Sequence, residues 1–147
     1  GVLCVMDEGD DRLVEPFVSH PRCMIGTDAI YQPDGKVHPR AYGSAGRWLG
    51  QFVRDAKLFS LEEAIRKMTS LGADTFNLQG RGRLIENAYA DLVIFDEHTI
   101  NDHADFGDPI HHCSGIEHVL INGKSVVQCR APLDFENTNL QAPGQRL

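Results

Sequence analysis

The sequence predicts an α/β fold, and three observations predict it. Two short apolar runs near the N-terminus flank a stretch with helical spacing. Two amphipathic helices follow. Beyond residue 80 the signals are those of strands and a tight hairpin. A β-α-β opening implies parallel strands, because parallel neighbours need a crossover and a helix supplies it. At 147 residues, 41% of them hydrophobic, the chain can bury one sizeable core.

The first strand is Val2-Leu3-Cys4-Val5-Met6. From Asp7 to His20, Leu13, Val14, Phe17 and Val18 recur at helical spacing, with acidic residues at the start, where the macrodipole favours them. His20-Pro21 stops this helix, because the residue before proline is pushed out of the helical region. Cys23 to Thr27 is the second strand. A Pro/Gly-rich loop then runs from Tyr31 to Gly46. Its length is near the ~12–15 residues beyond which a structureless loop is usually functional.

A helix is expected from Arg47 to Lys57, with Trp48, Leu49, Phe52, Val53 and Ala56 on one face. Ser60 opens the next. Ser60 and Glu63 match a capping box, in which hydroxyl and carboxylate each satisfy a free backbone N–H. Leu61, Ala64, Ile65, Met68 and Leu71 form its apolar stripe. Composition shifts near Gly80-Arg81-Gly82. Ala90 to Phe95 reads as a buried strand. Val119-Leu120-Ile121 and Lys124 to Val127 form a hairpin around Asn122-Gly123, a pair that accepts the positive φ angles of a type I′ turn. His98 to Ser114 reads as polar loop, and the tail from Pro132 as irregular.

Charge and cysteine usage narrow the function. The net charge is −7, from 21 acids against 14 Lys plus Arg, and the basic residues are dispersed. That leaves no electrostatic footprint for nucleic acid. No apolar run approaches the ~18–20 residues that span a bilayer. Gly1 to Asp7 lacks the basic region and small-residue cleavage site of a signal peptide. The chain starts without a methionine and within an apolar run, which suggests a piece of something longer. Cys4, Cys23, Cys113 and Cys129 are widely spread with no CxxC, so reduced thiols and a cytoplasmic setting are expected.

One stretch carries chemistry. Ile25-Gly26-Thr27-Asp28 delivers a carboxylate at the end of an apolar strand, and His38-Pro39-Arg40 begins ten residues later. A strand-end carboxylate can accept a proton from a water and pass it to a leaving amine. An arginine can hold a carboxylate through a bidentate pair. On spacing alone, Asp28 also fits a turn or helix cap, and His38-Pro39-Arg40 an ordinary surface turn. His111-His112-Cys113 looks like a metal cluster, but adjacent ligands point apart and no second pair lies at a ligand spacing. His20, His98, His103 and His118 have no partner spacing and read as surface residues. There is no H-E-x-x-H, G-x-S-x-G or P-loop.

In order along the chain, these pieces resemble the amidohydrolase superfamily, and within it the N-acyl-D-amino-acid deacylases (D-aminoacylases). The matching pieces are His20-Pro21, Ile25 to Asp28, His38-Pro39-Arg40 with Tyr42-Gly43, and Ser60 to Ala64 running to Lys67-Met68-Thr69. Gly82 to Ile85, Ala90 to Asp96, Asp108-Pro109, Gly115-Ile116, Val119 and Asn122-Gly123 continue them. Each piece is weak alone. In colinear order they are specific for the superfamily, and the His-Pro-Arg loop favours the deacylases.

The resemblance implies the C-terminal part of a metal-dependent (β/α)8 barrel over residues 1–79 and the C-terminal strands of a small β-sandwich over residues 80–147. It implies one or two zinc ions, with Asp28 as both metal ligand and proton carrier. Arg40 would hold the substrate carboxylate, and His38 would border the same pocket. The substrate implied is a small N-acyl-D-amino acid, cleaved at its amide bond. The remaining metal ligands would lie outside this chain, in an N-terminal part of the same enzyme, because a (β/α)8 barrel needs ~250 residues. The isolated chain is therefore expected to be inactive. Gly72 stands where the family usually has proline, and Asn77 and Asn87 where it has glycine. These departures leave the exact substrate open. The alternatives are a cyclic-amide hydrolase of the dihydroorotase or hydantoinase kind and a non-catalytic remnant domain.

Overall fold

A computed structural model describes residues 10–30 and 37–134. The strand expected at Val2–Met6 lies outside the described residues. The first element is α1 (Asp11–Ser19), capped by Asp10, whose Oδ1 accepts the Arg12 N–H at 3.1 Å. Val18 packs toward the core, while Leu13, Val14 and Phe17 of the same helix face outward.

The next expectation fails. Cys23 to Thr27 is not a strand, and no ladder partner for it exists among the described residues. A strand is stable only through its neighbours, and an apolar run supplies none by itself. Cys23 and Ile25 still pack against the core.

The loop expected from Tyr31 to Gly46 ends early. Helix α2 spans Arg40–Arg47 and continues without a break as a π-helical segment, Trp48–Asp55. The Ala56 N–H donates to the Gln51 carbonyl at 2.9 Å, five residues back, which is the wider turn. So the helix expected at Arg47–Lys57 begins seven residues sooner and ends in a different helical form. Trp48 and Leu49 are buried, with Phe52 and Val53 against them; Ala56 is exposed, outside that face.

Helix α3 (Leu61–Met68) starts at Ser60, whose hydroxyl accepts the Glu63 N–H at 3.3 Å. Half of the capping box therefore forms. The Glu63 carboxylate turns instead to Arg66 at 2.7 Å. The helix breaks at Thr69, and α4 (Ser70–Thr75) follows.

Lys67 is 1% exposed and forms no ion pair with an acidic side chain among the described residues, yet it is well satisfied. Its Nζ donates to the Val18 and His20 carbonyls at 2.7 and 2.5 Å and lies 5.2 Å from the Phe59 ring centre. A cation at the C-terminal end of α1 meets the negative end of the helix dipole. Arg66 adds a bond to the Pro21 carbonyl at 2.7 Å. Together they fix the turn that leads into Cys23–Asp28.

The sheet has four strands in the order β1 (Leu92–Phe95), β2 (Ile116–Ile121), β3 (Lys124–Gln128) and β4 (Ala131–Pro132). Every pairing in it is antiparallel, so the parallel arrangement implied by a β-α-β opening is not seen among the described residues. The β2–β3 turn is the expected one, with Asn122 and Gly123 at φ 50 and 76. Asp91 stabilises it by accepting the Asn122 N–H at 2.8 Å. β1 is less buried than its apolar run predicts, since Val93 and Ile94 are exposed. The β3–β4 turn uses Cys129 and Arg130, both at positive φ.

The polar loop expected from His98 to Ser114 holds a core residue. Ile100 is 1% exposed and joins Trp48, Leu49 and Ala64 in the centre of the molecule. An isolated bridge between Asn101 and Ser114 closes this loop on itself. Cys23, Cys113 and Cys129 are free thiols.

Candidate functional site

The site forms at the N-terminus of α2. Pro39, at φ −50, precedes the first helical residue, Arg40, in the backbone geometry a helix start needs. The ring Nδ1 of His38 accepts the Arg40 N–H at 3.1 Å, satisfying one of the donors that every helix start leaves free. His38 therefore caps the helix that carries Arg40.

Asp28 meets them across 12 residues of sequence. Arg40 Nη2 lies 2.7 Å from Asp28 Oδ2, and Arg40 Nε donates to the Asp28 backbone carbonyl at 3.0 Å. The Asp28 backbone sits at φ 46, the left-handed region that Asp tolerates better than most residues. The three site residues read from the sequence are thus brought together. The Asp28 side chain is 77% exposed, so its carboxylate stands open to solvent on its other side.

A second layer comes from the loop after β1. The His38 ring meets the Phe106 ring edge-on, 5.1 Å between centres. Tyr42 meets His112 at 5.4 Å. Arg47 Nε pairs with Asp102 Oδ2 at 3.1 Å, and Asp102 Oδ1 also accepts the Ala104 N–H at 2.9 Å. Burial pushes the His38 pKa down, Arg40 and Arg47 push it further, and Asp28 opposes them. The ring is therefore neutral near pH 7 and free to accept the bond it makes.

Sequence reasoning missed what holds the two layers together. Gly43, Gly46 and Gly50 form a row on α2 and the π-helical segment, against which the loop backbone lies. A Cβ on Gly46 would come within 2.7 Å of the Asn101 carbonyl oxygen and the Cys113 sulfur. One on Gly50 would come within 2.8 Å of the Ile100 carbonyl oxygen. Gly43 and Gly46 had the look of loop glycines. Their spacing of three, continued by four to Gly50, is the signal of a helix face under close approach. Asp102 was also missed, since a lone Asp in a polar loop carries no signature.

His111, His112 and Cys113 go separate ways. His111 Nδ1 faces Asp108 at 3.2 Å, His112 faces Tyr42, and the Cys113 thiol donates to the Tyr42 carbonyl at 3.2 Å. Burial raises the Cys113 pKa. His20, His98 and His103 are exposed as expected, and His118 is half-buried on β2.

Chemically, the site offers one open carboxylate, one guanidinium and one neutral imidazole. Among the described residues no group of three or more His, Cys, Asp or Glu side chains could hold a metal. A catalytic zinc takes three protein ligands. Asp28 fits as a single oxygen donor, and the described residues do not supply the others.

The chain and its fold, helices followed by an antiparallel sheet, have known relatives. The chain belongs to the amidohydrolase family, whose model matches residues 17–127. Within that family it is similar to deacylases of N-acyl-D-amino acids. It is 46% identical over 125 residues to the N-acyl-D-glutamate deacylase of Alcaligenes xylosoxydans xylosoxydans, a match covering 85% of this chain and 25% of that protein. A solved D-aminoacylase superposes with a TM-score of 0.79 at 39% identity, covering 84% of this chain and 26% of that one. The N-acyl-D-glutamate deacylase of Bordetella bronchiseptica, solved with zinc and a phosphonate mimic of the tetrahedral intermediate, gives 0.76 at 39% identity, covering 83% and 27%. The chain spans about a quarter of the length of these relatives.

Proposed function

We propose that this chain is the part of an N-acyl-D-amino-acid deacylase that carries the proton-transfer carboxylate and the substrate-carboxylate receptor. The observation that carries this reading is the convergence of Asp28 and Arg40, 2.7 Å apart, from separate segments. Residues 1–79 would belong to the last strands and helices of a (β/α)8 barrel, and residues 80–147 to its β-sandwich. The helices up to Thr75 and the antiparallel sheet from Leu92 support that division. The rest of the same enzyme is the partner, and the setting is cytoplasmic.

Asp28 would carry a proton from the attacking water to the leaving nitrogen, so that the amide splits into a carboxylate and a free amino acid. Arg40 would pair with the α-carboxylate and fix the amide relative to Asp28. His38 orients Arg40 through its backbone N–H and borders the same space. Zinc, for which Asp28 would provide one ligand, would supply Lewis acidity at the amide carbonyl.

The test uses two preparations. With zinc, the purified 147-residue chain should show no deacylation of N-acetyl-D-glutamate or N-acetyl-D-alanine. A chimera in which it replaces the matching quarter of the Alcaligenes xylosoxydans xylosoxydans N-acyl-D-glutamate deacylase should be active and lose activity to a chelator. Turnover by the chain alone, or a folded chimera without turnover, would contradict the proposal.

A further inference from the structure

Arg40, Gly43 and Arg47 stand at i, i+3 and i+7 of α2, which places them along one face of the helix. The arginines are the ends of that stripe, and Gly43 is the gap between them. The Asp102 carboxylate fills the gap. A Cβ on Gly43 would fall onto it, so the glycine is what lets the carboxylate reach the helix. There Asp102 Oδ2 accepts the Arg47 Nε–H at 3.1 Å, and Oδ1 accepts the Ala104 N–H at 2.9 Å. The side chain is 10% exposed, and both of its oxygens are bonded by groups of this chain.

Asp102 belongs to the loop after β1, not to the helical region. That loop also lies against Gly46, through Asn101 and Cys113, and against Gly50, through Ile100. Of these contacts along the glycine row, the one at Gly43 is nearest Arg40, and it alone carries a charge. Helix ends fray unless something holds them. Asp102 grips α2 at its first and last turns together, through Gly43 and Arg47. The helix start that carries Arg40 is thereby tied to the loop.

We propose that Asp102 is a positioning residue for Arg40. It ties the start of α2 to the loop after β1 and so fixes where the guanidinium meets a substrate carboxylate. This rests on the reading of Arg40 as the carboxylate receptor. Asp102 acts through the helix and does not itself touch substrate. Its loss therefore weakens the hold on the carboxylate and leaves the proton transfer alone, which raises KM and spares kcat.

The experiment is steady-state kinetics of the deacylase chimera with N-acetyl-D-glutamate. The variants are Asp102→Asn, Gly43→Ala, Arg47→Ala, Arg40→Ala and the double variant Asp102→Asn with Arg47→Ala. Asp102→Asn removes the charge and keeps an oxygen for the Ala104 N–H. Gly43→Ala keeps the charge and pushes the carboxylate off the helix, so a folding failure of one leaves the other to report. Each of the three single variants at 102, 43 and 47 should raise KM about three- to tenfold, the scale of one hydrogen-bonded ion pair, with kcat within about twofold. The double variant should be no worse than the larger single, because both changes break the same tie. A merely structural role would reduce the amount of active enzyme, lowering kcat at an unchanged KM. That result, or additive effects in the double variant, would overturn the positioning role, and the receptor reading would stand if Arg40→Ala still raised KM. A KM unchanged by Arg40→Ala would overturn the receptor reading and the positioning role with it.

Discussion

In the sheet region, from Leu92 onward, each strand pairs with the next strand in the chain. The turns that join β2 to β3 and β3 to β4 are two residues long. In the helical region, the extended run Cys23–Thr27 has no ladder among the described residues. Its end, Asp28, is held by a side chain from 12 residues away. The sheet satisfies its backbone locally. The site does so through Arg40, Lys67 and Arg66, which donate to carbonyls of residues 18–28. Among the described residues, the segment that ends in Asp28 is thus held by cations rather than by strand pairing. The regions meet where the loop after β1 lies along the glycine row of α2.

If the loop after β1 is part of the helical core, its buried residue should matter most. Ile100→Ala should cost about 2–5 kcal/mol, and the fluorescence of Trp48 and the circular dichroism of the sheet should melt together. Separate transitions would mean two independent units. Next in size is Gly46→Ala. The new methyl gains about 1 kcal/mol of helix propensity but is driven into the Asn101 carbonyl and the Cys113 sulfur. A net loss of about 1–2 kcal/mol is expected in denaturant titration, together with faster alkylation of Cys113. A stabilised protein would show that the loop does not lie on the helix.

The smallest effect is at His38, whose pKa lies below the usual value of 6.5. Between the folded and unfolded pKa values the unfolded chain binds more protons. His38 therefore costs nothing above pH ~6.5 and removes stability as pH falls through its folded pKa. NMR titration should place it below the usual histidine range. Arg47→Ala should move it upward, since that cation helps hold the pKa down and is itself paired with Asp102 of the second layer. An unmoved midpoint would separate His38 from that layer.

The sequence revealed the elements whose stabilisation is local. The Asn122-Gly123 turn, the Ser60 cap and the α3 stripe all rest on residues within a few positions of each other. The grouping of Asp28, His38 and Arg40 was legible through family resemblance and not through spacing. What it hid depends on distant partners. Whether Cys23–Thr27 becomes a strand depends on a neighbour. Gly43 and Gly46 read as loop until the backbone of Asn101 explains them. The β3–β4 turn at Cys129-Arg130 carries no turn residues, and its left-handed geometry comes with a pairing of Arg130 to Glu117.

On the proposed function, Asp28 and Arg40 do different jobs in one site. A steady-state comparison of Asp28→Ala and Arg40→Ala in the deacylase chimera separates the two roles. Asp28→Ala should lower kcat about 10²–10⁴-fold. Arg40→Ala should raise KM at least about tenfold, the loss of a charged hydrogen bond. A kcat unchanged by Asp28→Ala, or a KM unchanged by Arg40→Ala, would contradict the account.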